Sequence, residues 1–295
     1  MAPHVTPIER LERHAIAVDP AAIEDEFSRI WREAAGAPYD ESSVRLRVLT
    51  LAVIGDDDDD AAARFESVMQ SVPREHPCRG ILALTSATRS AVEATISAHC
   101  MRNGASMDIC SEEVVLTGGV AQQRELASAV LALLVPEIPV AAWLVGRASF
   151  TSYLATEVAG ASDLIMVDSG ALDAGDGIAA VISLARAHDA RMFDLAWGRG
   201  EIWRELTAQF FDGDDALRQL DRVRSIEING YHGRGSAEAM LLAGWLVSRL
   251  GLSLADLDGD DETLRATLYD GTRGVTLSVG KGWSPDVMSG VRITT

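Results

Sequence analysis

Three groups of residues in this 295-residue sequence have the types and spacing to engage a ligand or a partner. In "EHPCRGILAL", His76 and Arg79 stand just before an apolar run, where a guanidinium fork can grip a carboxylate or a phosphate. In "NGYHGRGSAEAMLLAGWL", glycines and Arg234 precede Ser236, a residue suited to cap a helix whose free amides would favour an anion. In "DLAWGRGEIWRELTAQFFD", Trp197, Arg199, Trp203, Arg204 and Phe211 form an aromatic and arginine edge. Such side chains dominate protein contacts because they bury large area at little entropic cost.

Each group also has a plainer reading. Arg79 can pair with a nearby acid while His76-Pro77 shapes a loop, and the glycine turn before Ser236 can simply feed a capped core helix. In a helix starting near Gly200, Ile202, Leu206 and Phe210 share one face with Trp203 adjoining, and this stripe is expected to be core. Phe211 projects away from it, and Arg204 and Glu205 face out. "VDSGALDAGDG" places Asp168 and Ser169 after a strand, where α/β folds keep binding crevices but where such residues are also ordinary loop chemistry.

No catalytic constellation stands out. The six histidines lack H-x-x-x-H or H-E-x-x-H spacing, and no G-x-G-x-x-G, Walker loop or G-x-S-x-G is present. No cofactor or metal is therefore expected. The aspartate run Asp56 to Asp60 lacks the spaced oxygens and turn glycine of a calcium loop and reads as a solvated loop entering a helix. Cys78, Cys100 and Cys110 form no C-x-x-C and read as reduced thiols packed as small hydrophobes.

Composition narrows the partners. A net charge of -18 repels nucleic-acid phosphates and anionic membranes. No apolar run approaches the ~18 residues of a membrane span, and "MAPHVTPIERLERHAIAVDP" lacks the pattern of a signal peptide. A cytoplasmic location is the expectation.

The elements that must position these residues alternate. Asp19-Pro20 opens a helix with Ile23, Phe27, Ile30, Trp31 and Ala34 on one stripe, and "VRLRVLTLAVIG" follows as a strand. Helix "AAARFESVMQSV", strand "GILALTS", helix "SAVEATISAHCM", strand "MDICSEEVVLT" and helix "RELASAVLALLV" come next. Strand "PVAAWLVG", helix "FTSYLATEVA", strand "DLIMVDS" and helix "DGIAAVISLARAH" continue the order. The alternation predicts an α/β fold with mostly parallel sheet units covered by helices. "TLRATLYDGTRGVTLSVGKG" predicts a C-terminal antiparallel hairpin turning at Asp270-Gly271. The prolines of "VPEIP" suggest a boundary between an N-terminal domain, 1–135, and a C-terminal domain, 136–295.

Taken together, "HPCRGILAL", "ICSEEVVL", "VPEIPVAAWLVG", "ASDLIMVDS", "FDLAWGRGEIWRELTAQFFD" and "AMLLAGWLVSRLGL" resemble, in order and spacing, the OpcA family of glucose-6-phosphate dehydrogenase assembly proteins. The resemblance implies a non-enzymatic partner of that dehydrogenase, promoting its assembly or its active oligomer in the oxidative pentose phosphate pathway. The alternative is a sugar-phosphate-binding protein or metabolic enzyme with an anion site at His76, Arg79 or the turn from Gly233 to Ser236.

Overall fold

The computed structural model describes residues 11–15, 19–34, 47–57, 60–103, 107–146, 150–172, 174–230, 236–260, 263–282 and 288–295. The chain divides into two compact units, Met1–Val167 with Ala185–Met192, and Asp168–Leu184 with Phe193–Thr295. The "VPEIP" segment lies inside the first.

The first unit is built on an eight-stranded sheet. Its strands are β1 (Leu11–Ala15), β2 (Leu49–Asp56), β3 (Cys78–Ser86), β4 (Glu93–Asn103), β5 (Met107–Gly119), β6 (Val140–Leu144), β7 (Leu164–Val167) and β8 (Arg191–Asp194), in the order β1-β4-β5-β3-β2-β6-β7-β8. The last two residues of β8 fall in the second unit. β5, β3, β2, β6 and β7 run parallel, and β1 and β4 add an antiparallel flank. All of β3, all of β6 and the interior of β2 are buried, which is why they read as continuous apolar runs rather than alternating ones.

Helices α1 (Pro20–Ala34), α2 (Ala61–Ser71), α3 (Gln123–Leu133) and α4 (Tyr153–Gly160) belong to this unit. Asp19 caps α1 as its position before Pro20 implies, its carboxylate accepting from the Ala21 amide at 3.0 Å, and Ile23, Phe27 and Ile30 are buried. Gly55 lets α2 lie close on β2, since a Cβ there would stand 2.5 Å from Ala61 Cβ. The expected strand positions Val44 and Leu46 and the side chain of Trp31 lie outside the described residues.

One expected helix is a strand. "SAVEATISAHCM" becomes β4, with Val92, Ala94, Ile96 and Ala98 buried at period two while Glu93 faces out, and Ile96 pairs with Val114 of β5. Its β-branched Val92, Thr95 and Ile96 fit a pleated surface better than a helix, and hairpin pairing with β5 decides between the two. The backbone register of that hairpin sets Cys100 opposite Cys110.

The second unit contains most of α5 (Ala174–Ala187), then α6 (Leu195–Arg199), α7 (Glu201–Gln209), α8 (Asp214–Leu217) and α9 (Ala237–Arg249). Its five-stranded sheet has the order β10-β11-β12-β9-β13, from β9 (Ser225–Gly230), β10 (Ser253–Gly259), β11 (Leu264–Tyr269), β12 (Gly274–Lys281) and β13 (Gly290–Thr294). The expected hairpin is β11 and β12, turning through Gly271 at φ 95°. It is the middle of a sheet rather than an appendage, because β9 pairs with β12 in parallel. Ile226, Ile228, Ala266, Leu268, Val275, Leu277 and Val279 form one buried face, covered by Leu242, Ala243 and Leu246 of α9.

Candidate functional site: the α6 and α7 edge

Asp194 starts α6 by accepting from the Ala196 amide at 3.0 Å, and its carboxylate also takes the Ser169 amide at 3.1 Å and hydroxyl at 2.6 Å. Ser169 is fully buried, so this hydroxyl and carboxylate satisfy each other inside the second unit. Asp168 and Ser169, which the sequence places at a strand end, are thus committed to holding α6.

Arg199 closes the same frame. Its Nη1 and Nη2 donate to both oxygens of Asp168 at 3.0 and 2.7 Å, and Nε donates to Glu238 Oε1 at 2.9 Å. These bonds, the Asp168 pair first, hold its pKa above the ordinary arginine value. The fork that sequence offers to a partner is filled by two carboxylates of its own unit.

Gly200 ends α6 and begins α7, and a Cβ there would meet Arg204 Nη1 at 3.1 Å. Arg204 uses that space to lie over Trp197, with its guanidinium carbon 3.5 Å from the ring centroid and Nη1 donating to the Trp197 carbonyl at 2.7 Å. Burial pulls the Arg204 pKa below the ordinary value. Trp203 packs against the sheet core and Phe211 is half-buried.

The expected core stripe of α7 is on the outside. Ile202 is 54% exposed, Leu206 45% and Phe210 79%, while Gly200 and Thr207 are buried and Trp203 is half-buried. With about 100° per residue, positions 200, 203, 207 and 211 share the inner face and 202, 206 and 210 the outer. Trp203 and Phe211 settle toward the core, and the regular row of Ile202, Leu206 and Phe210 is left in solvent. Phe193, 41% exposed, and Leu217, 56%, extend this apolar segment along the chain.

The anion candidates are placed differently. Arg79 is 1% exposed in the first unit, where Nε and Nη2 donate to Glu112 Oε2 at 2.8 and 2.7 Å, Nη1 donates to the Leu133 carbonyl at 3.0 Å, and Glu24 takes the remaining fork. Burial opposes its charge, and Glu24 with Glu112 more than compensates, leaving the pKa raised. His76 is exposed on the turn before β3 and its amide donates to the Val72 carbonyl at 2.8 Å. Ser236 is buried and caps α9, accepting from the Ala239 amide at 3.3 Å. Arg234 lies outside the described residues.

At the switch point of the first sheet, between the carboxyl ends of β2 and β6, where open α/β sheets take ligands, the chain offers Asp56 and Asp57. An open groove of about 1220 Å³ lies at the amino ends of the same strands, lined in part by Pro136, Glu137, Asp163 and Arg191. Among the described residues no group of three or more His, Cys, Asp or Glu is placed to hold a metal, and no helix is long and apolar enough to cross a membrane.

Known proteins divide the chain in a related way. Two family models match, described as the N-terminal domain and the C-terminal domain of a "Glucose-6-phosphate dehydrogenase subunit"; the first matches residues 69–186 and the second residues 190–285. The chain is 30% identical over 190 residues to the "Putative OxPP cycle protein OpcA" of Nostoc punctiforme, a match covering 62% of this chain and 40% of that protein. The Synechocystis protein of the same description is 26% identical over 187 residues, covering 62% and 39%. The chain thus spans about 40% of the length of the curated relatives it matches. Among solved structures, an oxidoreductase from Sinorhizobium meliloti aligns with 15% identity and a TM-score of 0.44, covering 84% of this chain and 69% of that one. An NAD-binding oxidoreductase from Klebsiella pneumoniae aligns with 11% identity and a TM-score of 0.45, covering 83% and 69%. The two family models follow one another along most of the sequence, and the chain belongs to the OpcA family.

Proposed function

We propose that this chain is a non-catalytic assembly and activation factor for glucose-6-phosphate dehydrogenase, acting in the oxidative pentose phosphate pathway. The observation that carries the reading is the exposed row Ile202, Leu206 and Phe210 along α7 and its C-terminal cap, on a helix whose other face is anchored through Trp203. Apolar surface gathered on one edge marks an interaction site more than scattered single residues do. Membership of the OpcA family names the partner class.

In this reading Trp197, Arg199, Trp203, Arg204 and Phe211 serve docking by fixing α6 and α7. Arg199 ties α6 to α9, the Arg204 and Trp197 stack joins α6 to α7, and Trp203 seats α7 on the sheet core. Activation then needs only a higher affinity for the active oligomer of the dehydrogenase than for its other states. No residue of this chain has to touch the reacting sugar phosphate or nicotinamide. A cytoplasmic site of action follows from that partner.

The test is dehydrogenase activity of the same organism's enzyme across substrate concentration, with and without this chain, beside light scattering of the eluted mixture. A co-eluting complex with raised activity is expected. Separate elution and unchanged kinetics would overturn the proposal.

A further inference from the structure

We propose that Ile202, Leu206 and Phe210 form a helical ridge that inserts into an apolar groove of a partner protein, and that the rim of this groove carries arginine or lysine side chains. The inference rests on the assembly-factor reading and specifies how the dehydrogenase is recognised.

The ridge follows from the inversion of α7. Residues four apart lie nearly above one another, so Ile202, Leu206 and Phe210 make a continuous strip about 12 Å long. Recognition of one helix by a groove uses anchors at this spacing. The inner positions are already occupied by Gly200, Trp203, Thr207 and Phe211. Turning the helix to bury the ridge within its own unit would expel Trp203 from the sheet core and strip Arg204 from Trp197. The ridge is therefore available outward without any rearrangement.

Charge selects the occupant. Glu201 and Glu205 border the ridge on the side away from the core, and Asp212, Asp214 and Asp215 follow its end, all exposed. Arg218 answers one of them, pairing with Asp215. A second copy of this chain would bring the same acidic border against itself across a two-fold axis, since such an interface joins a patch to its own image. Like charges so placed oppose association. An anionic membrane surface is disfavoured for the same reason. A basic rim around an apolar groove satisfies both the ridge and its border.

The test measures binding of the full-length chain to the purified dehydrogenase. Leu206→Ser with Phe210→Ser should weaken affinity at least about tenfold, as loss of central anchors does, while leaving the urea unfolding midpoint unchanged or higher. Glu201→Lys with Glu205→Lys should slow association and flatten its dependence on salt. Unchanged affinity of both variants, with the unaltered chain still forming the complex, would overturn the ridge and leave the assembly role standing. No complex with the unaltered chain would overturn both. A dimer of the chain alone that dissociates in the serine variant would assign the face to self-association and overturn the proposal.

Discussion

Arg204 lies flat over Trp197, 3.5 Å from the ring centroid, and at the same time donates to the Trp197 carbonyl at 2.7 Å. One side chain therefore spans the junction of two short helices that share Gly200 as end and start. A planar guanidinium can stack and donate together, whereas an ammonium on a flexible stem cannot reproduce both. Arg204→Lys should lower stability by roughly 0.5–1 kcal/mol, and Arg204→Ala by somewhat more, in urea unfolding followed by tryptophan fluorescence. Equal stability of all three chains would show that the stack contributes nothing to holding the junction.

Arg79 gives the larger effect. Its guanidinium is buried with Glu112 and shared with Glu24, so Arg79→Ala removes the most deeply buried counter-charge of the Glu112 carboxylate and leaves Arg47 paired with Oε1. With that second partner remaining, a loss toward the lower end of about 3–5 kcal/mol is expected. Glu24 is 44% exposed and its removal should cost far less. Chemical denaturation of Arg79→Ala and Glu24→Gln separates the two, and similar small losses would contradict a buried network centred on Glu112.

Asp270 sets an acid limit on the β11 and β12 turn. Amides of Thr272 and Arg273 donate to Oδ1 at 2.9 Å each, and these bonds hold its carboxyl well below the usual carboxylate range. A depressed folded pKa contributes stability that is present above about pH 4, the unfolded aspartate value, and is lost as pH falls through the folded value. Asp270→Asn should therefore be less stable than the unaltered chain at pH 7, and the gap should narrow in acid below pH 4. A gap independent of pH would assign the effect to geometry rather than charge.

Cys78 should be inert in the folded protein. Burial first, and then Glu113, push its thiol up to about 12. At pH 8 almost none is thiolate, the reactive form. Iodoacetamide should modify Cys78 only after denaturation, and modification under native conditions, read by peptide mass, would show that β3 opens.

Gly55→Ala should destabilise by about 1–3 kcal/mol through overpacking, because the new Cβ meets Ala61 at 2.5 Å. Pairing the change with Ala61→Gly should recover part of the loss. No recovery in the double variant would locate the strain elsewhere.

These residues also show what sequence carries and what it leaves open. α1 is legible from Pro20 to Ile30, because Asp19-Pro20 and the stripe of Ile23, Phe27 and Ile30 state the start, the period and the buried face together. β2, β3 and β6 are legible as apolar runs. β4 is not, since its period-two row is diluted by Ala94 and Ala98, strong helix formers, and the hairpin pairing with β5 decides. β10, exposed throughout, carries no burial pattern to read. For α7 the periodicity correctly announces a helix with an apolar side, but periodicity is the same whether that side meets a core or a partner. Ser169 and Asp194 are legible as single residues but not as a pair, because 25 positions separate them.

The path of the chain between units bears on synthesis. Residues 168–184 belong to the second unit, 185–192 return to the first, and the rest belong to the second. A nascent chain emerging from the ribosome reaches β8, the last strand of the first sheet, only after the opening piece of the second unit has been made. Domains usually fold as units, amino-terminal first, so here the first must wait, incomplete at one edge, with a length of foreign helix already hanging from it. Cleavage at any single peptide bond cannot separate two intact units, and co-translational trapping experiments should find the first sheet closing late, only once Met192 has cleared the exit tunnel.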